Sequence, residues 1–122
     1  MIGTDIIDKR RIAHSLEVHG ERFANKVLHP KEWDGWLTSK DPTRYLAMRW
    51  AAKEALSKAL GTGLRSPVLM PAICITHNEL GAPGFAVSEA IEALIQARGY
   101  SKMHLSLSDE RHYIVAFVLC EK

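Results

Sequence analysis

Apolar positions along the chain switch between two periods. Residues 1–7, Met1-Ile2-Gly3-Thr4-Asp5-Ile6-Ile7, are β-branched and apolar around one carboxylate, which predicts a strand holding a buried or half-buried acid. Over residues 9–28, Ile12, Leu16, Phe23 and Val27 recur at helical spacing and Gly20 interrupts them, so two short helices or one bent helix are expected. His29-Pro30 opens a further helix to about residue 37, carrying Trp33 and Trp36. The strongest helix signal is residues 43–60. Asp41 is placed to cap it, Pro42 fits its first position and Gly61 fits a left-handed stop.

Residues 72–77 and 84–88 then read as strands around the turn Asn78-Glu79-Leu80-Gly81-Ala82-Pro83, and residues 88–98 as a helix ended by Gly99. Two final strands are expected at residues 104–108 and 113–119. This order predicts an α+β fold, a mostly antiparallel sheet packed against a long central helix, in one domain spanning 1–122. With so few residues ahead of Gly3, the first strand is expected to be short or frayed.

Composition narrows the picture. An apolar share of 47% and a charged share of 25% are ordinary globular values and exclude disordered, collagenous or coiled-coil chains. No apolar run approaches a membrane span and no export signal opens the chain, which points to the cytoplasm. Cys74 and Cys120 lie in apolar stretches without partners at metal spacing and are expected as packed thiols in a reducing compartment. The net charge of +2 is too small to argue for nucleic acid.

Local charge says more. Residues 40–65 carry six basic and two acidic residues, a field suited to a phosphorylated ligand. On the central helix Lys58 lies about 40° from Glu54 and Gly61 about 20° to the other side, so the three share a face beside a stripe of Ala52, Ala55, Leu56 and Ala59. Glu54 and Lys58 are either a surface pair or part of a site. Asp5 is either a structural acid or, with Glu54, a pair of oxygen ligands suited to Mg²⁺. Gly61-Thr62-Gly63 is a helix cap or a phosphate cradle, its amides open to approach where no Cβ intervenes. His104 shares a strand's polar face with Ser106 and Ser108, where a solvated histidine is the plain alternative. Between residues 9 and 26, Lys9, Arg10, Arg11, Arg22 and Lys26 outnumber Glu17 and Glu21, which suits an acidic protein partner; with Phe23 the one aromatic there, nucleic acid ranks last.

Three blocks together resemble the holo-acyl-carrier-protein synthase type of 4'-phosphopantetheinyl transferase. They are Gly3-Thr4-Asp5-Ile6 with Arg11-Ile12; Arg49-Trp50-Ala51-Ala52-Lys53-Glu54-Ala55 with Lys58-Ala59 and Gly61-Thr62-Gly63; and His104-Leu105-Ser106-Leu107-Ser108-Asp109. The resemblance implies transfer of the phosphopantetheine arm of coenzyme A to a serine of apo-acyl carrier protein, with release of 3',5'-ADP. It assigns magnesium to Asp5 and Glu54, the pyrophosphate to Lys58, and coenzyme A to Arg49, Gly61, Thr62 and Gly63. His104 matches a residue that relatives supply from a neighbouring subunit of a homotrimer, and Arg11 matches the arginine that meets the carrier. Arg10 and Arg22 are added as helpers by charge. Trp50 stands where phenylalanine is common, and Asp109 where many relatives have histidine. Two other functions remain in play, a non-catalytic basic module for an acidic protein and a small nucleic-acid-binding domain.

Overall fold

The computed structural model describes residues 1–122 and places the elements close to where periodicity puts them. Strand β1 is Ile2–Asp8, followed by helices α1, Lys9–His19, and α2, Glu21–Val27. Asp8 caps α1 by accepting from the Arg10 amide, and Gly20, with φ of 56°, makes the break between the two helices. A 3-10 turn at Pro30–Glu32 precedes α3, Trp33–Thr38, so the helix expected from Pro30 begins with a tighter turn. The long helix α4, Pro42–Leu60, has Asp41 accepting from Arg44 N at its start and Gly61 in the left-handed conformation at its end. Strands β2, Ile73–His77, and β3, Pro83–Val87, form a hairpin; α5, Glu89–Ala97, is capped by Ser88; β4, Lys102–Asp109, and β5, Tyr113–Glu121, close the chain.

The fold is α+β and all strand pairs are antiparallel, but they form two sheets, one ordered β1-β5-β4 and the β2-β3 hairpin. The expectation of a short or frayed first strand is corrected. All seven residues of β1 pair with β5, and the Met1 ammonium donates to Cys120 O at 3.0 Å.

Helix α4 lies across the inner face of the three-stranded sheet. Its small residues permit a close approach: a Cβ on Gly3 would run into the Ala55 carbonyl oxygen and the Ala59 nitrogen, so β1 rests directly on the helix backbone. Burial is not confined to the expected Ala-rich stripe. Leu46, Ala47, Ala51, Lys53, Ser57 and Leu60 are buried as well, because α1, α2, α3 and β2 enclose the other sides of the helix.

The outer face of the same sheet is uncovered. Ile2, at 57% exposure, and Ile6, at 63%, sit in register with Leu119 and Val115, and Phe117 and Tyr113 continue the same apolar surface. No helix is long and apolar enough to cross a membrane. Cys74 and Cys120 are buried free thiols, as expected.

Candidate active site

Strand alternation decides where Asp5 points. Gly3, Asp5 and Ile7 face α4, and Asp5 is in register with buried Ala116, so its carboxylate emerges between the sheet and the last turns of the helix. There Lys58 Nζ donates to Asp5 Oδ1 at 3.2 Å and to Thr4 O at 3.0 Å. The lysine therefore pairs across the fold with the strand and not with Glu54 one turn away.

Two features mark this cluster as more than a surface ion pair. Asp5 Oδ2 is buried and has no hydrogen-bond partner. Glu54 is half-buried, and burial, reinforced by the Asp5 charge and opposed by Lys58, raises its carboxyl above the usual glutamate range. Two carboxylates near enough for one to raise the other, with one oxygen unpartnered, are short of positive charge. No cluster of three metal-ligating side chains exists. Two carboxylates with water and phosphate oxygens nevertheless suit Mg²⁺, which needs only one or two protein ligands. The residues present fit that ion.

The turn after α4 departs from one expectation. The amide of Gly61 donates to Lys58 O, and those of Thr62 and Gly63 donate to Ser57 O, so all three close the helix end and are not free to cradle a phosphate. What Gly63 offers instead is space, since a Cβ there would meet nothing within 4 Å. The Arg98 guanidinium lies 3.6 Å from where a Gly61 Cβ would stand, a cation at this turn that spacing did not reveal.

Of the basic series on α4, only Lys58 joins the cluster. Arg49 lies about 140° around the helix from Glu54. It lines a separate cavity of about 360 Å³ between the first half of α4, β2 and β4, with Lys40, Arg44 and His77. Lys53, one of the six basic residues counted over 40–65, is fully buried and bonded to Glu32 and Val27 O, so the expectation that it adds to a ligand-facing field is corrected. Arg44 is held by Asp109, which also takes Lys9 at 2.9 Å. Burial pushes the Asp109 carboxyl up, but these two cations outweigh it and leave it below the usual range.

His104 is in register with Leu119 on the outer face of the sheet, opposite to Asp5, with Nε2 3.7 Å from Glu121. Within one chain it cannot face Asp5 or Lys58.

On α1, the Arg10 guanidinium is held by both oxygens of Asp8, and its side-chain bond keeps the Asp8 carboxyl at about 2. Arg11 and Arg22 are exposed and form no ion pair. Arg11 lines a cavity of about 440 Å³ with Ile7, Ile12, Phe23 and Trp50, an apolar hollow rimmed by arginine and His14.

Residues 1–118 match the 4'-phosphopantetheinyl transferase superfamily. The holo-acyl-carrier-protein synthase of Laribacter hongkongensis is 49% identical over 120 residues, covering 98% of this chain and 96% of that protein. The crystal structure of the synthase from Neisseria meningitidis superposes with a TM-score of 0.95 at 41% identity, covering 99% and 97% of the two chains. That from Helicobacter pylori, in complex with coenzyme A, gives 0.84 at 26% identity, covering 99% and 100%.

Proposed function

The chain belongs to the 4'-phosphopantetheinyl transferase superfamily, and from that premise we propose how its own residues carry out the transfer. The enzyme moves 4'-phosphopantetheine from coenzyme A to a serine of apo-acyl carrier protein and releases 3',5'-ADP. The observation that carries the site assignment is the unpartnered, buried Asp5 Oδ2 beside Glu54. Asp5 and Glu54 would hold Mg²⁺, which would supply charge neutralisation for the diphosphate.

Lys58 turns from Asp5 Oδ1 to the diphosphate and stabilises the oxygen that leaves with ADP. The proton of the attacking serine passes to Glu54 or Asp5, directly or through a bound water. The serine oxygen forms its bond to the pantetheine-bearing phosphorus as the bond from that phosphorus to the ADP oxygen breaks. Gly61, Thr62 and Gly63 leave room along the ligand, with their amides committed to the helix end.

Coenzyme A carries a second phosphate, the 3'-monoester, away from the diphosphate. The cavity lined by Lys40, Arg44, Arg49 and His77, with Asp41 the one acid in its lining, has an excess of cations to meet it, yet lies on the other side of α4 from Lys58. His104 is likewise turned away from its own Asp5. Both facts support active sites shared between subunits, in which one chain supplies Asp5, Glu54 and Lys58 and a neighbour supplies Arg49 and His104. The apolar outer sheet face is the surface such an assembly covers, and a homotrimer closes it with a single repeated contact. Phe117→Glu, at the centre of that face, is expected to shift the mass measured by light scattering from trimer to monomer and to lower carrier charging in parallel. A fully active monomer would exclude the shared site.

The acceptor docks on α1 and α2 through Arg11 and Arg22, with its apolar side over the hollow at Trp50; Arg10, neutralised by Asp8, adds less. The buried free thiols fit a reducing cytoplasm. Function is tested by incubating the protein with coenzyme A, Mg²⁺ and apo-carrier and weighing the carrier: a gain of one phosphopantetheine, absent with a chelator, is expected. Carrier bound but never modified would favour a non-catalytic module.

A further inference from the structure

We infer that Glu32 is the positioning residue of the coenzyme A site, holding Arg49 in the orientation in which it meets the 3'-phosphate. This rests on the proposed assignment of Arg49 to coenzyme A. Glu32 is 2% exposed and accepts four bonds. Its Oε1 receives His29 N at 2.9 Å and Lys53 Nζ at 2.6 Å, and its Oε2 receives Arg49 Nε at 3.1 Å and Ile75 N at 2.9 Å.

The guanidinium is thus held at two of its three nitrogens. Nε is taken by Glu32, Nη1 donates to Tyr45 O at 3.3 Å, and the plane lies 3.4 Å over the Tyr45 ring, whose own hydroxyl donates to Glu32 O. Nη2 makes no bond within the chain, so its donors are left for a ligand in the cavity that Arg49 lines.

Charge explains the second cation. A carboxylate paired with Arg49 alone would cancel the charge meant for an anion. Lys53, fully buried, answers Glu32, so the three groups together keep one positive charge next to the cavity. Here the arrangement delivers an oriented guanidinium with its field intact.

The test compares coenzyme A with dephospho-coenzyme A, which lacks the 3'-phosphate, as pantetheine donors to apo-carrier. Glu32→Gln is expected to raise the KM for coenzyme A about tenfold or more with kcat within about threefold, the pattern of lost uniform binding. With dephospho-coenzyme A the variant and parent should differ little, and in an Arg49→Ala background Glu32→Gln should add nothing to KM. Because Glu32→Gln alone leaves Lys53 buried without its anion, Glu32→Gln/Lys53→Met removes both buried charges and carries the same expectations. Equal losses with both donors, or an undiminished effect in Arg49→Ala, would overturn the assignment. So would a double variant that cannot fold, which would make Glu32 a residue of stability alone. A parent chain that never charges the carrier would instead remove the coenzyme A premise and the positioning role with it.

Discussion

Glu54→Gln is expected to lower carrier charging by roughly 10²–10³-fold at saturating substrate while raising the melting temperature of the metal-free protein. The two effects have one cause. In the folded chain burial and the Asp5 charge raise the Glu54 carboxyl above its ordinary range, so the folded state favours the protonated form. A carboxyl raised in this way leaves stability intact below the ordinary glutamate range and lowers it as pH climbs through the raised value. Glutamine removes that loss, so variant and parent should converge in acid and separate at neutral pH, by a few degrees at most for a half-exposed group. Added Mg²⁺ should then raise the melting temperature of the parent, since a ligand that binds only the folded state stabilises it, and leave the variant unmoved. Asp5→Asn should lose activity to a similar degree. Full activity in either variant, or a parent whose melting ignores Mg²⁺, would remove the metal from these two carboxylates.

How much of this was legible in the sequence depends on the range of the interaction. Helix α4 was readable at both ends because Asp41, Pro42 and Gly61 act on residues within one turn. Strand β5 was readable because residues 113–119 form an unbroken run rich in β-branched, aromatic and aliphatic side chains after the polar turn 109–112; which of its two apolar faces is left uncovered shows only in the structure. Asp5, Glu54 and Lys58 could be gathered only by resemblance, since the bond from Lys58 to Asp5 spans 53 residues and no periodicity reports it. The burial of Lys53 is hidden for the same reason: its partner Glu32 is 21 residues away. One local signal was present, for Lys53 lies among Ala51, Ala52, Ala55 and Leu56 and has Arg49 and Ser57, not acids, at the neighbouring turns. A lysine in a run of small core residues with no helical counter-ion has to find its anion elsewhere. Burial costs it dearly and pulls its ammonium below the ordinary lysine range, with Glu32 opposing that pull.

The tightest constraint in the molecule was also the least visible in the sequence, and it yields the second large effect. Gly3→Ala is expected to destabilise the protein by about 3 kcal/mol or more, a fall in melting temperature on the order of 10 °C, and to cut activity by roughly 10²-fold in whatever folds. The added methyl would meet the Ala55 carbonyl oxygen and the Ala59 nitrogen, backbone atoms of α4 that cannot rotate aside as a flexible side chain would. Relief requires β1 to lift from the helix. Because Asp5 is two residues along the same face and Glu54 and Lys58 are on the helix being lifted from, any such movement separates the carboxylates and breaks the bond from Lys58 to Asp5. Stability and catalysis should therefore fall together at Gly3, whereas at Glu54 they move in opposite directions. Thermal melts and carrier charging measured on both variants separate the two mechanisms. A Gly3→Ala protein with unchanged melting and full activity would mean that the first strand does not need this contact to place Asp5.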